Sequence, residues 1–236
     1  MPNSLGERMK SSYELRQRHY LTCRTPVIVR LDGKAFHTFT KGFERPFDAR
    51  LMDSMLIAAL NVFSEAQGCK LAYVQSDEVS FVLTDYDNLD TQGWFNYNQS
   101  KIESVAASCM TMAFNRCMRL CDKPGNAMFD ARAFNIPEDE VANYFLWRAQ
   151  DWSRNSITMY TQSFFSHQEL HKKTGPMMHD MLHGIGRNWA TDLNDDQMNG
   201  VFIARLDGEI ITSDTIPPKF NAISDLWDAT KPVEID

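Results

Sequence analysis

Four short extended segments and two amphipathic helices predict an α+β protein with the ferredoxin-like split βαβ order, strand–helix–strand–strand–helix–strand. Three observations carry this. Residues 26–31, 70–75, 79–83 and 129–135 read as strands bounded by turn residues. Apolar side chains recur at helical spacing over residues 51–63 and 102–113. Only Ser76-Asp77-Glu78 separates the second and third strands, so these two form a tight hairpin.

The elements follow in order. Residues 1–25 are polar, and 1–12 are expected to be loose. Pro26-Val27-Ile28-Val29-Arg30-Leu31 is an apolar, largely β-branched run closed by the turn pair Asp32-Gly33. Asp48 is placed to cap a helix whose inner face is Leu51, Met52, Met55, Leu56, Ala59, Leu60 and Phe63, with Gly68 fitting its stop. Residues 84–99 read as a polar loop dotted with aromatics. From about Ser100 a second helix turns Ile102, Val105, Ala106, Cys109, Met110 and Ala113 inward. Residues 121–127 form a loop around Pro124-Gly125, and Pro137 ends the fourth strand.

The remainder reads as mostly helical. Val141, Tyr144, Phe145 and Ile157 fall at roughly helical spacing between 138 and 165, with a bend expected near Asp151. Gly175-Pro176 breaks that pattern, 177–183 is a short helix stopped by Gly184, and 200–206 is a late strand turned by Asp207-Gly208. The tail, with Pro217, Pro218 and Pro232, is expected to be extended. The expected organisation is an N-terminal extension (1–25), a split-βαβ core (26–136) and a helical elaboration packed on that core (137–236).

Composition sets bounds. The chain has 236 residues, 43% hydrophobic and 23% charged, with a formal charge of −7. This is ordinary globular usage, and it excludes wholesale disorder and a surface that is basic throughout. A nucleic-acid partner would have to meet a local basic patch. The first seven residues have no apolar core of a signal peptide, and no run approaches the ~18 apolar residues of a membrane span. Cys23, Cys69, Cys109, Cys117 and Cys121 are odd in number and lack CxxC spacing, which fits free thiols in a reducing cytoplasm rather than a zinc site.

The split order has a chemical consequence. Its first and second strands run parallel with the third between them, antiparallel to both. The end of the first strand, Asp32, is thereby set beside the start of the third, at Asp77. Two carboxylates at strand ends, one next to a glycine, suit a hard divalent cation such as Mg²⁺ with room for phosphates. Two such ions can activate an attacking oxygen and neutralise charge on a transferred nucleotidyl group. Alone, Asp32-Gly33 is a turn and Asp77 a hairpin tip; together, on this strand order, they favour the metal reading.

The motifs themselves resemble a known family. Arg30-Leu31-Asp32-Gly33-Lys34-Ala35-Phe36-His37 and Gln75-Ser76-Asp77-Glu78-Val79-Ser80-Phe81 are similar to the two signature stretches of the tRNA-His guanylyltransferase family. Phe43-Glu44-Arg45-Pro46-Phe47-Asp48, Ser100-Lys101 and Phe129-Asp130-Ala131-Arg132 resemble three further motifs in the same order, over about residues 26–206. The resemblance implies a polymerase-like palm that adds nucleotides to RNA 5′ ends in the 3′-to-5′ direction. The 5′ end is activated by adenylylation or carries a triphosphate, and the 3′-hydroxyl of an incoming nucleoside triphosphate attacks it.

By position, Asp32, the Gly33 carbonyl and Asp77 would hold two Mg²⁺ ions, with Glu78 counted among the catalytic acids. Asp32, Gly33, Lys34, Ala35, Phe36, His37, Ser76 and Asp77 would bind nucleotide, His37 near the base. Arg45 and Lys101 would meet triphosphate oxygens, and Asp48 belongs to the same nucleotide-binding group. ATP and GTP are the implied nucleotides, tRNA or a similar RNA the partner, and a homotetramer the implied assembly. Arg132, Arg148, Arg154 and Asn155 are the candidates for RNA contact, although a salt bridge from Arg148 or Arg154 to Asp151 is the structural alternative.

One departure bears on substrate choice. Members that add guanosine to tRNA-His carry His-Ile-Asn-Asn after a Trp-Arg segment. Here Trp147-Arg148-Ala149-Gln150-Asp151 is followed by Trp152-Ser153-Arg154-Asn155-Ser156, which resembles the "like" branch that repairs 5′-truncated tRNAs against a template. Two rival readings share part of this pattern: a palm-type nucleotide cyclase or cyclic-dinucleotide synthase, and a non-catalytic RNA-binding module.

Other features have plainer readings. His167/His171 and His179/His183 stand at i, i+4, a zinc-capable spacing, but lack an HExxH pattern and read as surface or packing histidines. Lys172-Lys173 could touch a phosphate backbone but reads as a solvated face. Trp147, Trp152, Phe164 and Phe165 read as core rather than as base-stacking rings.

Overall fold

The computed structural model describes residues 4–231. Six strands form one continuous antiparallel-paired sheet in the order β4-β1-β3-β2-β5-β6. In chain order the elements begin with α1 (Leu5–Met9), β1 (Val27–Gly33), α2 (Phe36–Phe39) and α3 (Ala49–Glu65). The hairpin β2 (Cys69–Gln75) and β3 (Glu78–Leu83), α4 (Gln99–Leu120) and β4 (Phe129–Asn135) follow. The second half holds α5 (Val141–Thr161), α6 (His167–Leu170), α7 (Gly175–Gly184), α8 (Trp189–Asp192) and α9 (Asp195–Asn199). It ends with the hairpin β5 (Val201–Leu206) and β6 (Glu209–Ser213), then α10 (Phe220–Ala229).

β3 lies between β1 and β2 and is antiparallel to both, so β1 and β2 run parallel, as the split order requires. β4 closes one edge against β1, and β5 extends the sheet beyond β2. Side-chain alternation then sorts two cores. Val27, Val29 and Leu31 of β1, with Val79, Phe81 and Leu83 of β3, face α3 and α4. Ile28 and Val82 face the other way, against Phe145, Ala149 and Trp152 of α5 and Ile223 and Trp227 of α10.

The helices obey the same logic. Asp48 caps α3, accepting from the Arg50 amide. Asn98 caps α4, and Ile102, Ala106, Met110, Phe114 and Met118 form its buried stripe, each four residues from the last. Asn115 crosses to the next loop with two hydrogen bonds to the Ala127 backbone, both 2.8 Å, tying the end of α4 to the entry of β4.

Several expectations are corrected. The N-terminal segment is not loose: an α turn (Leu5–Met9), a π-helical turn (Lys10–Glu14) and a 3₁₀ turn (Leu15–Gln17) run on from a capping box at Ser4 and Glu7. Residues 1–3 and Pro232 lie outside the described residues. The loop after β3 holds a 3₁₀ turn at Trp94–Tyr97. α5 runs unbroken past Asp151. Gly175-Pro176 starts a helix, because proline at the first turn lacks only an N–H that has no helical partner there. β6 extends the late strand into a hairpin. Beyond Pro217-Pro218 the chain forms α10, whose Ile223 and Trp227, four apart, anchor it to the second core. Of the four aromatics read as core, Trp152 is buried, but Trp147 is 49% and Phe164 40% exposed.

Phe114 is fully buried, with ring centroids 5.6 Å from Phe36, 5.8 Å from Phe39 and 5.3 Å from Phe129. Phe114→Ala should therefore cost about 3–5 kcal/mol, read as a lower urea midpoint with an unchanged slope.

Candidate active site

The site is built by strand register. Asp32 is opposite Glu78 on β3, and Gly33 is opposite Phe129 on β4. The ladder continues one step past the strand, with the Gly33 amide donating to the Asp77 carbonyl at 3.0 Å. Asp32, Gly33 and the Ser76-Asp77 turn therefore share one end of the sheet. The turn is tight: Gln75 pairs with Glu78, and Ser76 takes a left-handed φ of 47°. Gly33 is required by packing, since a Cβ there would fall 2.3 Å from the Phe36 ring.

Two clefts meet at that turn. The larger, about 660 Å³, lies between the segment from Gly33 to Leu56, the turn, and the start of β5. Gly33, Ala35, Phe36, His37, Arg45, Asp48, Ser76 and Asp77 all line it. The smaller, about 280 Å³, lies between the strand ends and α5, lined by Asp32, Ser76, Asp77, Glu78, Arg148 and Asn155. Gln75, Ser76, Asp77, Trp152, Met159 and Gln162 border both.

The charges are arranged unequally. Glu78 is buried and held by Arg148 through two hydrogen bonds, Nε to Oε1 at 2.6 Å and a terminal guanidinium nitrogen to Oε2 at 2.9 Å. Gln75 donates to Glu78 at 3.1 Å, and the Arg30 Nε approaches it at 3.4 Å. Arg148 also reaches Asp151 at 3.1 Å and lies over the Trp147 ring at 4.4 Å. By contrast, among the described residues the Asp32 carboxylate pairs only with a terminal guanidinium nitrogen of Arg30, at 3.7 Å, and its side chain is 37% exposed. Burial raises the Asp77 carboxyl above the usual carboxylate range, with the charges of Asp32 and Glu78 adding to it and hydrogen bonds from its own backbone and Ser76 opposing it. Among the described residues no group of three His, Cys, Asp or Glu side chains is gathered as a closed metal cage. Two under-compensated carboxylates with open space beside them instead fit a cation completed by phosphate oxygens and water, the coordination Mg²⁺ favours.

The remaining expected residues divide. Phe36 borders the cleft but its ring packs in the core among Phe39, Phe114 and Phe129, so it is not a free stacking surface. Asp48 borders the cleft too, yet its carboxylate is taken by the Arg50 guanidinium at 2.9 and 3.0 Å and by the Glu44 and Arg50 amides. Arg50 holds the Asp48 carboxyl at about 2. Lys34 is exposed, its amide donating to the Met128 carbonyl, and does not line either cleft. Lys101 is not brought to the site. It starts α4 at the opposite end of the sheet, where Gln99 and Glu103 bond Ala133, and lies over the Phe95 ring at 4.8 Å.

Arg148, expected at RNA, is instead buried and saturated by Glu78 and Asp151, which is the salt-bridge alternative. Arg154 is exposed and pairs with the other Asp151 oxygen at 3.1 Å. Arg132 stands on β4 opposite Arg30, outside both clefts. Arg30, Asp151, Trp152 and Gln162 belong to the site although none was singled out for it. Arg30 was detectable as the residue two before Asp32, on the same strand face; Thr158, Met159 and Gln162 follow Asn155 at helical spacing.

Comparison with known proteins follows the same outline. The family model for tRNAHis guanylyltransferase (Thg1) matches residues 6–137, more than half of the chain. A bacterial tRNA(His) guanylyltransferase (Thg1)-like protein solved with ATP superposes at a TM-score of 0.88 and 42% identity, over 96% of this chain and 99% of that one. Its like solved with GTP gives 0.80 and 39%, over 97% and 99%. The tRNA(His) guanylyltransferase of Schizosaccharomyces pombe is 35% identical over 60% of this chain and 54% of its own. The chain spans less than two thirds of the length of the curated relatives it matches.

Two outcomes are expected here. Arg148→Ala should cost about 3–5 kcal/mol, because it strands Glu78 as a buried, unpaired carboxylate, and Glu78→Gln in the same chain should recover part of that loss; a double-mutant cycle by chemical denaturation reads both. Asp48 contributes at most about 2 kcal/mol, since Arg50 stays partly open to solvent. Its folded-state value is depressed, so that stability is full above about pH 4 and is lost as pH falls through about 2. Asp48→Asn should lower stability at pH 7 and flatten the acid limb, measured by melting temperature against pH.

Proposed function

The chain belongs to the tRNAHis guanylyltransferase (Thg1) family, and we propose that it is a 3′-to-5′ nucleotidyltransferase acting on the 5′ end of tRNA or a similar RNA. The observation that carries this is Asp32 and Asp77 on adjoining strand ends where two clefts meet. The core is then a palm, and its two spaces suit an activated 5′ end and an incoming nucleoside triphosphate.

Asp32, Asp77 and the Gly33 carbonyl would hold two Mg²⁺ ions. Bound there, Mg²⁺ lowers the cost of deprotonating an attacking hydroxyl and neutralises charge gathering on the transferred phosphate. The chain's own groups do the rest. Ser76, Ala35 and His37 border the nucleotide, and Arg45, which lines the larger cleft together with Lys41, offers a cation for triphosphate oxygens. Asp48 acts one step back, by holding the 44–50 segment that carries Arg45. Glu78 acts as a positioning residue rather than a metal ligand, because Arg148 occupies both of its oxygens.

ATP and GTP are the nucleotides we assign, as the bacterial relatives were solved with each. Templated repair of 5′-truncated tRNA is favoured over obligate guanosine addition. Asn155 sits in the smaller cleft, in an Arg-Asn-Ser context that lacks the histidine of the guanosine-adding pattern. A homotetramer is the assembly we propose, since one chain of charge −7 presents limited basic surface to an RNA. Among the described residues no helix is long and apolar enough to cross a membrane.

The test is nucleotide addition to a 5′-truncated tRNA with ATP, Mg²⁺ and each nucleoside triphosphate in turn. Addition that follows the base opposite the gap is expected, and Asp32→Asn or Asp77→Asn should reduce it at least about 100-fold with the melting temperature retained. Guanosine added regardless of template would restore the tRNA-His specificity. Product formed from triphosphate alone would mean a cyclase-like palm and overturn the reading.

A further inference from the structure

The chain is acidic overall, yet one excursion is not. Between the end of α5 and the start of α8, residues 162–188 hold Lys172, Lys173, Arg187 and four of the six histidines, against only Glu169 and Asp180. Glu169 is engaged at home, closing a capping box on Ser166. His167, His171, Lys172, Lys173, His183 and Arg187 are all exposed. His179 is the exception, half-buried edge-on against Trp189. Met178 and Leu182 seat α7 on the body of the protein against Ile157 and Tyr160 of α5. The excursion is thus a packed ridge with its cations outward.

Its position matters as much as its charge. Gln162 borders both clefts, Ser163 borders the larger, and the next residue, Phe164, is exposed with the Arg187 guanidinium 5.3 Å from its ring centroid. The ridge therefore begins at the rim of the site. From Arg187, α7 runs ten residues back to Lys172-Lys173, about 15 Å, a span of two to three backbone phosphates. Exposed cations at both ends of a seated helix, with an aromatic–arginine stack at the cleft rim, match a strand that leaves the cleft and tracks along the protein.

We propose that α7 and its flanking loops are the docking surface for the phosphate backbone of the RNA whose 5′ end lies in the active site. This rests on the RNA-directed reading above, and adds to it where the body of the substrate runs. Lys172, Lys173 and Arg187 contact phosphates. The exposed His167, His171 and His183 line the same ridge.

The experiment compares the full-length protein with the triple variant Lys172→Ala/Lys173→Ala/Arg187→Ala. Binding of a tRNA transcript is followed by fluorescence anisotropy between 50 and 200 mM salt, with ATP affinity and mass by light scattering measured alongside. The expected result is at least about tenfold weaker tRNA binding near 0.1 M salt, and a log–log salt slope smaller by about two to three, one step for each lost phosphate contact. ATP affinity should be unchanged, since none of the three residues lines a cleft. Unchanged tRNA affinity and slope in the variant, with tight binding by the parent protein, would overturn the ridge alone. Failure of the parent protein to bind any tRNA would remove the RNA reading itself, and the ridge with it. A drop in assembly mass with tRNA affinity per chain retained would make the ridge a contact between copies of this chain, and overturn the proposal.

Discussion

The antiparallel ladder between β1 and β3 is the constraint on which the site depends. Its register sets Asp32 opposite Glu78, and the Gly33 amide carries the pairing on to the Asp77 carbonyl. Because side chains alternate, a slip of one residue would send Asp32 and Arg30 into the apolar layer and turn Leu31 and Val29 outward. The two cores forbid that slip. Val27, Val29 and Leu31 fill one face and Ile28 the other, so burial of apolar side chains and placement of the acids are one decision.

Gathering carboxylates at one sheet end raises their mutual repulsion, and the fold answers selectively. Glu78, the most buried, receives the strongest compensation: a bidentate arginine from α5, a second arginine from β1 and an amide from Gln75. Asp32 and Asp77 receive little, one a distant guanidinium and the other only hydrogen bonds. Compensating Glu78 from within the protein leaves a residual negative field centred on the two acids that border open space. The Mg²⁺ ions we propose would sit in that field. Glu78 is thus adjacent in sequence to Asp77 and opposite in charge compensation, a distinction made by Arg148, seventy residues away.

This separates what could be read from the sequence and what could not. Local chemistry was legible. β-branched runs, the Asp48 and helix stop signals, and the three residues between the hairpin strands located β1 to β4 within two residues, and the strand order then placed Asp32 beside Asp77. Pairings across long separations were not legible. Arg148 carries the same residue type whether it meets RNA or Glu78, and only the packing of α5 on the sheet decides between them. Lys101 sits in a motif beside the others, but α4 spans the sheet and carries its first turn to the far end. The first turns and α10 were missed because their sequences are polar or proline-flanked. α10 forms because Ile223 and Trp227, with Leu226 packed beside them, find a core.

The second half of the chain is therefore part of the site rather than an appendage to it. α5 packs Phe145, Ala149 and Trp152 beneath the sheet, and the same turns present Arg148 to Glu78. Further along, Asn155, Thr158, Met159 and Gln162 form the wall of the smaller cleft. A helix that is both core and wall cannot shift without moving the acids, since its arginine is anchored to the residue next to Asp77. Its far end opens onto the cationic ridge. One helix thus joins the sheet end that carries the two carboxylates to the ridge we propose for the RNA backbone, so the distance between them is set by α5.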